Sequence, residues 1–159
     1  MSNITYLSLT GKTQGLISSK CSTLESIGNR YQIGHEDQIQ VLSMGHTITR
    51  AQNASHHPLQ IIKLIDKPSP LLGVAITNNE LLEAIFTCYR TNQTGHLEAY
   101  YKVKLTKATI LEITSTYTNT INSEGILPHE KLLLSYESIT WEHLVSGTSG
   151  YSIKESDIF

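Results

Sequence analysis

Only one stretch of this chain has a helical pattern: residues 66–76, Asp-Lys-Pro-Ser-Pro-Leu-Leu-Gly-Val-Ala-Ile. Nearly everything around it alternates, or runs apolar, in the manner of β-strands. Leu71, Leu72, Ala75 and Ile76 recur at helical spacing and share one face. Ser69 is expected to cap the first free N–H groups, and Pro70 sits where a first-turn proline is tolerated. Asn78 and Asn79 can take the left-handed conformation that ends a helix. A helix of about nine residues does not hold in water alone. Gly73 in its middle costs a further ~1 kcal/mol relative to alanine. The helix must therefore be held by packing, and a sheet is the only surface the rest of the chain offers. A β-barrel with one short helix against it is the expected fold.

The strands follow in order. Residues 4–9 read as a first strand, 10–20 as a surface loop and 21–34 as irregular. Residues 38–48 read as a second strand. Residues 59–65 read as a third, apolar on both faces and so expected to be buried on both. Residues 81–90 and 97–106 form a hairpin around Thr91–His96. Leu97, Ala99, Tyr101, Val103 and Leu105 alternate with polar residues, which gives one buried and one wet face. Residues 109–117 read as a separate strand and 119–128 as a turn region. Residues 131–143 read as a last long strand whose apolar phase switches near Ser138, the mark of a bulge or of a strand changing sheets. Ile139 and Trp141 on its second half are expected in the core or at a subunit interface. Residues 1–159 form a single domain, with 146–159 as a tail without period.

Charged residues make up 16 % of the chain, against ~25 % in ordinary soluble domains, and serine and threonine take their place. Such a surface suits protein–protein contact, because little charge must be desolvated. The formal net charge is −2 and no basic run occurs, which argues against nucleic acid as a partner. No apolar run reaches the ~18 residues of a membrane span. No signal-peptide pattern opens the chain, so synthesis in the cytoplasm without signal-dependent export is expected. Cys21 and Cys88 are then expected to be reduced thiols.

Catalytic patterns are missing. Gly11-Lys12-Thr13 resembles the end of a phosphate loop, but Tyr6 stands where the first glycine is needed. Gly147-Thr148-Ser149-Gly150 lacks the spacing of a nucleophile elbow. His35-Glu36-Asp37 reads as a polar turn before a strand. His56 and His57 are adjacent, so on an extended segment their side chains diverge, and no metal motif accompanies them. No catalytic residue, cofactor or metal is expected.

The residues resemble a known family. Residues 61–72, with Lys63, Asp66, Lys67, Ser69 and Pro70, are similar to the Lys-x-x-Asp-Lys-Ser-[Ser/Thr]-Pro signature of the haemolysin co-regulated proteins (Hcp), which form the tube of the bacterial type VI secretion system. Residues 136–143 resemble the Tyr-Glu-x-Ile-x-Trp-Glu-His strand of its enterobacterial-type branch. Residues 34–43 and 100–108 resemble other strands of that branch, in the same order and spacing. Pro68 and Leu64 depart from the usual residues, and residues 114–127 diverge.

The resemblance implies a mainly β fold, a barrel of two packed, antiparallel-rich sheets with one flanking helix. It also implies a homohexameric ring, and rings that stack into a secreted tube. Implied partners are a spike trimer at the tip, a contractile sheath and effector cargo in the lumen. Residues 49–58 follow the second strand and hold Arg50, Gln52, Asn53, His56 and His57 with almost nothing apolar. By the resemblance this loop, with Thr49, is expected to contact the next ring. From the residues alone, a monomeric barrel binding a small ligand and a metal-dependent hydrolase using His56 and His57 are the alternatives.

Overall fold

The computed structural model describes residues 3–28, 32–122 and 125–154. Parts of the predicted irregular segment (29–31), turn region (123–124) and tail (155–159) lie outside the described residues. The first strand, β1 (Asn3–Gly11), lies between two antiparallel partners, β3 (Ile39–Gly45) and β7 (Leu82–Thr91). It pairs with β7 along its whole length. Strand β6 (Leu59–Leu64) pairs β3, and β9 (His129–Ser135) pairs β6. Strand β8 (Leu97–Thr116) pairs β7 with its first half and β9 with its second. The circuit β8–β7–β1–β3–β6–β9 therefore closes on itself, leaving no open edge within the barrel. Leu7, Leu9, Ile39, Ile61, Phe86, Leu105, Leu132 and Ile139 fill its interior, each at most 1 % exposed.

Where the sequence predicts two strands, 97–106 and 109–117, β8 runs unbroken. The inward phase passes from Val103 and Leu105 to Ala108 and Ile110, and Lys107 takes a positive φ of 49° at the change. Its neighbour makes the matching change. The predicted strand 131–143 is two, β9 and β10 (Ser138–His143), and the phase passes from Leu134 and Tyr136 to Ile139. β8 and the neighbouring β9–β10 segment shift at the same level, so their inward faces stay matched. The Lys107–Glu137 pair, 3.3 Å apart, marks the spot on the outside.

Four other expectations change. The segment 10–20 is not all surface loop: Gly15, with φ of 76°, turns β2 (Gly15–Leu16) back onto β1, and Ile17 and Ser18 are buried. The segment 21–34 holds one helical turn, α1 (Leu24–Ile27). On β6 only Leu59, Ile61 and Lys63 are buried, while Gln60, Ile62 and Leu64 are half-buried, so one face lies outside the core. The tail forms β11 (Thr148–Ile153), an edge strand paired with β10.

The helix α2 (Ser69–Thr77) packs against β8. Leu72 and Ala75 are buried, and Leu71 and Ile76 pack beside them against the core. Burying Leu72 contributes about 1.5–3 kcal/mol. Pro68, not Ser69, holds the N-cap position, and no side chain caps the helix. Asn79 alone is left-handed at its end, with φ of 49°; Asn78 has φ of −94°.

Candidate functional site

Between β3 and β6 the chain leaves the barrel as a small ribbon, β4 (Ile48–Arg50) and β5 (Ala54–His56), that pairs only with itself. Its registers are Ile48 with His56, Thr49 with Ser55 and Arg50 with Ala54. A two-stranded ribbon is marginal alone, so something at its base must hold it. The His57 N–H donates to the Thr47 carbonyl at 3.1 Å, and the Thr49 hydroxyl lies 3.1 Å from His57 Nε2.

The stronger anchor is a phenol. His46 Nε2 and His56 Nδ1 each lie 2.7 Å from the Tyr136 hydroxyl, and His56 Nε2 lies 3.0 Å from Ser152 Oγ. Both imidazoles stand edge-on to the Tyr136 ring. Burial pushes the Tyr136 pKa up to about 12, so it remains a phenol and a donor. Burial also lowers the pKa of both histidines; His46 is lowered further by neighbouring histidines and His56 by Lys154.

Thr49, Arg50, Gln52 and Asn53 are gathered, exposed, on the ribbon and its turn, and His57 is exposed at its base. His56 is separated from them: it is half-buried, with both ring nitrogens engaged inside its own chain. The two adjacent histidines diverge, as an extended backbone requires. Ile139 is buried, and Trp141 is half-buried against the core, paired with Val103 of β8.

The phosphate-loop lookalike has a structural explanation. The N–H groups of Thr13 and Gln14 both donate to Glu80 Oε2, at 3.3 and 3.1 Å, so a carboxylate of the chain itself fills the turn. His35 stacks on Tyr6 at 4.2 Å, and Glu36 and Asp37 accept from the Gly34 and Lys20 N–H groups. Cys21 is buried with its pKa raised to about 12, which leaves it a thiol without nucleophilic character. Among the described residues no three His, Cys, Asp or Glu side chains are grouped to hold a metal.

One buried constellation escaped the residue patterns. Lys63 is fully buried, with its amine 2.8 Å from Asp66 Oδ1, 2.5 Å from Glu130 Oε1 and 3.3 Å from the Ser69 hydroxyl. Ser69 also accepts from the Asp66 N–H and donates to Glu130 at 2.6 Å, which is why it is not a helix cap. One cation thus faces two carboxylates. Burial raises the Asp66 pKa, against the pull of Lys63 and with a further push from Glu130. The cluster ties β6, the start of α2 and β9 together. A signal was available: Lys63 and Glu130 each fall on the inward phase of their strands.

The described residues thus show a packed barrel, a polar ribbon that pairs only with itself and an internal charge cluster whose groups are bonded to one another. The chain as a whole is similar to known proteins. The family profile described as "Type VI secretion system effector, Hcp" matches residues 6–143. The chain is 37 % identical to the "Major exported protein" of Pseudomonas aeruginosa, over 94 % of both. It is 42 % identical to the "Uncharacterized protein YhhZ" of Escherichia coli K12 over 93 % of this chain, but spans only 37 % of that longer relative. Among solved structures, the secreted protein Hcp3 from Pseudomonas aeruginosa superposes with a TM-score of 0.88 at 38 % identity, over 98 % of this chain and all of that one. Signature, closed barrel and full-length superposition agree: the chain belongs to the Hcp family of the type VI secretion system.

Proposed function

We propose that this chain is a structural tube subunit of a type VI secretion system, not an enzyme. Six copies close into a ring, and rings stack into a tube that leaves the cell. The spike trimer, the sheath and effectors in the lumen are its partners. The observation that carries this reading is the superposition on Hcp3 over nearly the whole of both chains. The filled interior speaks against a ligand-binding barrel, which needs an open cavity. Exposed apolar side chains such as Leu42, Ile126, Leu127, Tyr151 and Ile153 suit contact with neighbouring subunits.

The ribbon is the ring–ring contact in this reading. Its polar side chains stay hydrated in a free ring and gain partners only on stacking, each hydrogen bond contributing about 0.5–1.5 kcal/mol net. Thr49, Arg50, Gln52, Asn53 and His57 make that contact, and His56 positions it. Replacing Arg50, Gln52 and Asn53 together by alanine leaves the ring intact and weakens tube formation and secretion. Electron microscopy and a secretion assay read both. Stacking and export equal to the parent's would exclude these side chains from the contact.

A further inference from the structure

Two imidazole nitrogens point at one buried hydroxyl. His46 comes from the turn before β4, His56 from the end of β5, and Tyr136 from the junction of β9 and β10. These bonds, with that of His56 to Ser152 on β11, fasten the ribbon to the barrel wall. A phenol has one proton to give and two lone pairs to fill. With both histidines neutral, Tyr136 donates to one imidazole and accepts from the N–H of the other. A first added proton is tolerated, because one imidazolium donates to the phenol while the phenol donates to the remaining neutral ring. A second is not. Both rings would then present N–H groups to the same oxygen, and the phenol proton, only 4 % exposed with its residue, would lose its acceptor.

We propose that His46, His56 and Tyr136 form a proton-counting latch that holds the ribbon on the barrel with up to one added proton and releases it with two. The latch regulates ring stacking if the ribbon is the ring–ring contact, and to that extent rests on that reading. The surrounding charges favour release. His57 and His56 face His46, and Lys154 faces His56, all of one sign when protonated. The Lys154 amine donates to Ser135 Oγ at 3.1 Å. Glu137, the carboxylate next to Tyr136, is paired with Lys107. The direction follows from linkage. Both histidines have native pKa values below the ordinary value, so each added proton weakens docking, and the second weakens it most because it leaves the phenol proton without an acceptor. Their contribution is present above about pH 6.5 and is lost as pH falls through the depressed native values.

Hydrogen exchange of the full chain, read by mass spectrometry on peptides across residues 46–57 and corrected for intrinsic rate, tests the latch at about pH 7.5 and about pH 5. The parent is expected to lose protection there by about tenfold or more at the lower pH. The double variant His46→Gln and His56→Gln, which keeps donors and acceptors but cannot charge, holds its protection at both. Tyr136→Phe, which keeps the ring and drops the hydroxyl, has the low protection already at pH 7.5. Equal protection of the parent at both values overturns the latch, as does a double variant that loosens like the parent or a Tyr136→Phe that stays protected. These outcomes are independent of stacking. A responsive ribbon whose Arg50, Gln52 and Asn53 alanine variant still stacks refutes the ring–ring reading and leaves the latch standing.

Discussion

At the scale of single residues, buried charge and close approach set the strongest constraints. Lys63→Met leaves Asp66 and Glu130 buried without a counter-ion, an arrangement that costs about 3–5 kcal/mol. Asp66→Asn removes the excess negative charge and keeps the shape, so its cost is smaller. Urea midpoints at one protein concentration measure both, and equal losses would contradict the cluster's charge balance. A second constraint lies at Gly11, where an added Cβ would stand 1.9 Å from Glu80 Oε2. Glu80 cannot move aside without abandoning the Thr13 and Gln14 N–H groups. Gly11→Ala is therefore expected to cost about 1–3 kcal/mol. Thermal unfolding of a double-mutant cycle with Glu80→Ala should reveal coupling between the two sites. The Gly11 contact has no mark in the sequence, and the charge cluster has only the inward phase of Lys63 and Glu130. Lys63 breaks the apolar reading of its strand, and nothing local marks Glu130 as its partner 67 positions on. Nothing near Gly11-Lys12-Thr13 in the sequence announces that the carboxylate in its turn is Glu80, just after α2.

At the scale of elements, the helix was the most legible part of the chain, since periodicity, proline position and length all agreed. Its register makes a sharp prediction. Leu72→Asp places an unpaired charge at a fully buried site and should abolish soluble folded protein. Val74→Asp, at a position 45 % exposed, should leave it folded. Circular dichroism of the two soluble fractions distinguishes them; the reverse outcome would invert the helix faces. The strands after it were harder to read. A phase shift within β8 mimics a strand boundary, because Lys107 turns left-handed without a glycine to announce it. The phase switch near Ser138 was visible, and only the pairing partner shows that it answers the one in β8. The edge strand β11 has almost wholly exposed side chains, so no apolar period could mark it.

At the scale of the whole molecule, closure of the barrel removes its internal sheet edges, and the remaining apolar surface and polar ribbon lie outside it. In the proposed reading, assembly runs in two directions: around a ring through the barrel walls, and along a tube through the ribbon. A cyclic contact joins two different patches of each subunit, so it closes at a fixed number or runs on. Native mass spectrometry of the purified protein, each copy 17.7 kDa, reads that number most directly. Six copies in one closed species is the expected result, and a purely monomeric species even at high concentration would contradict it.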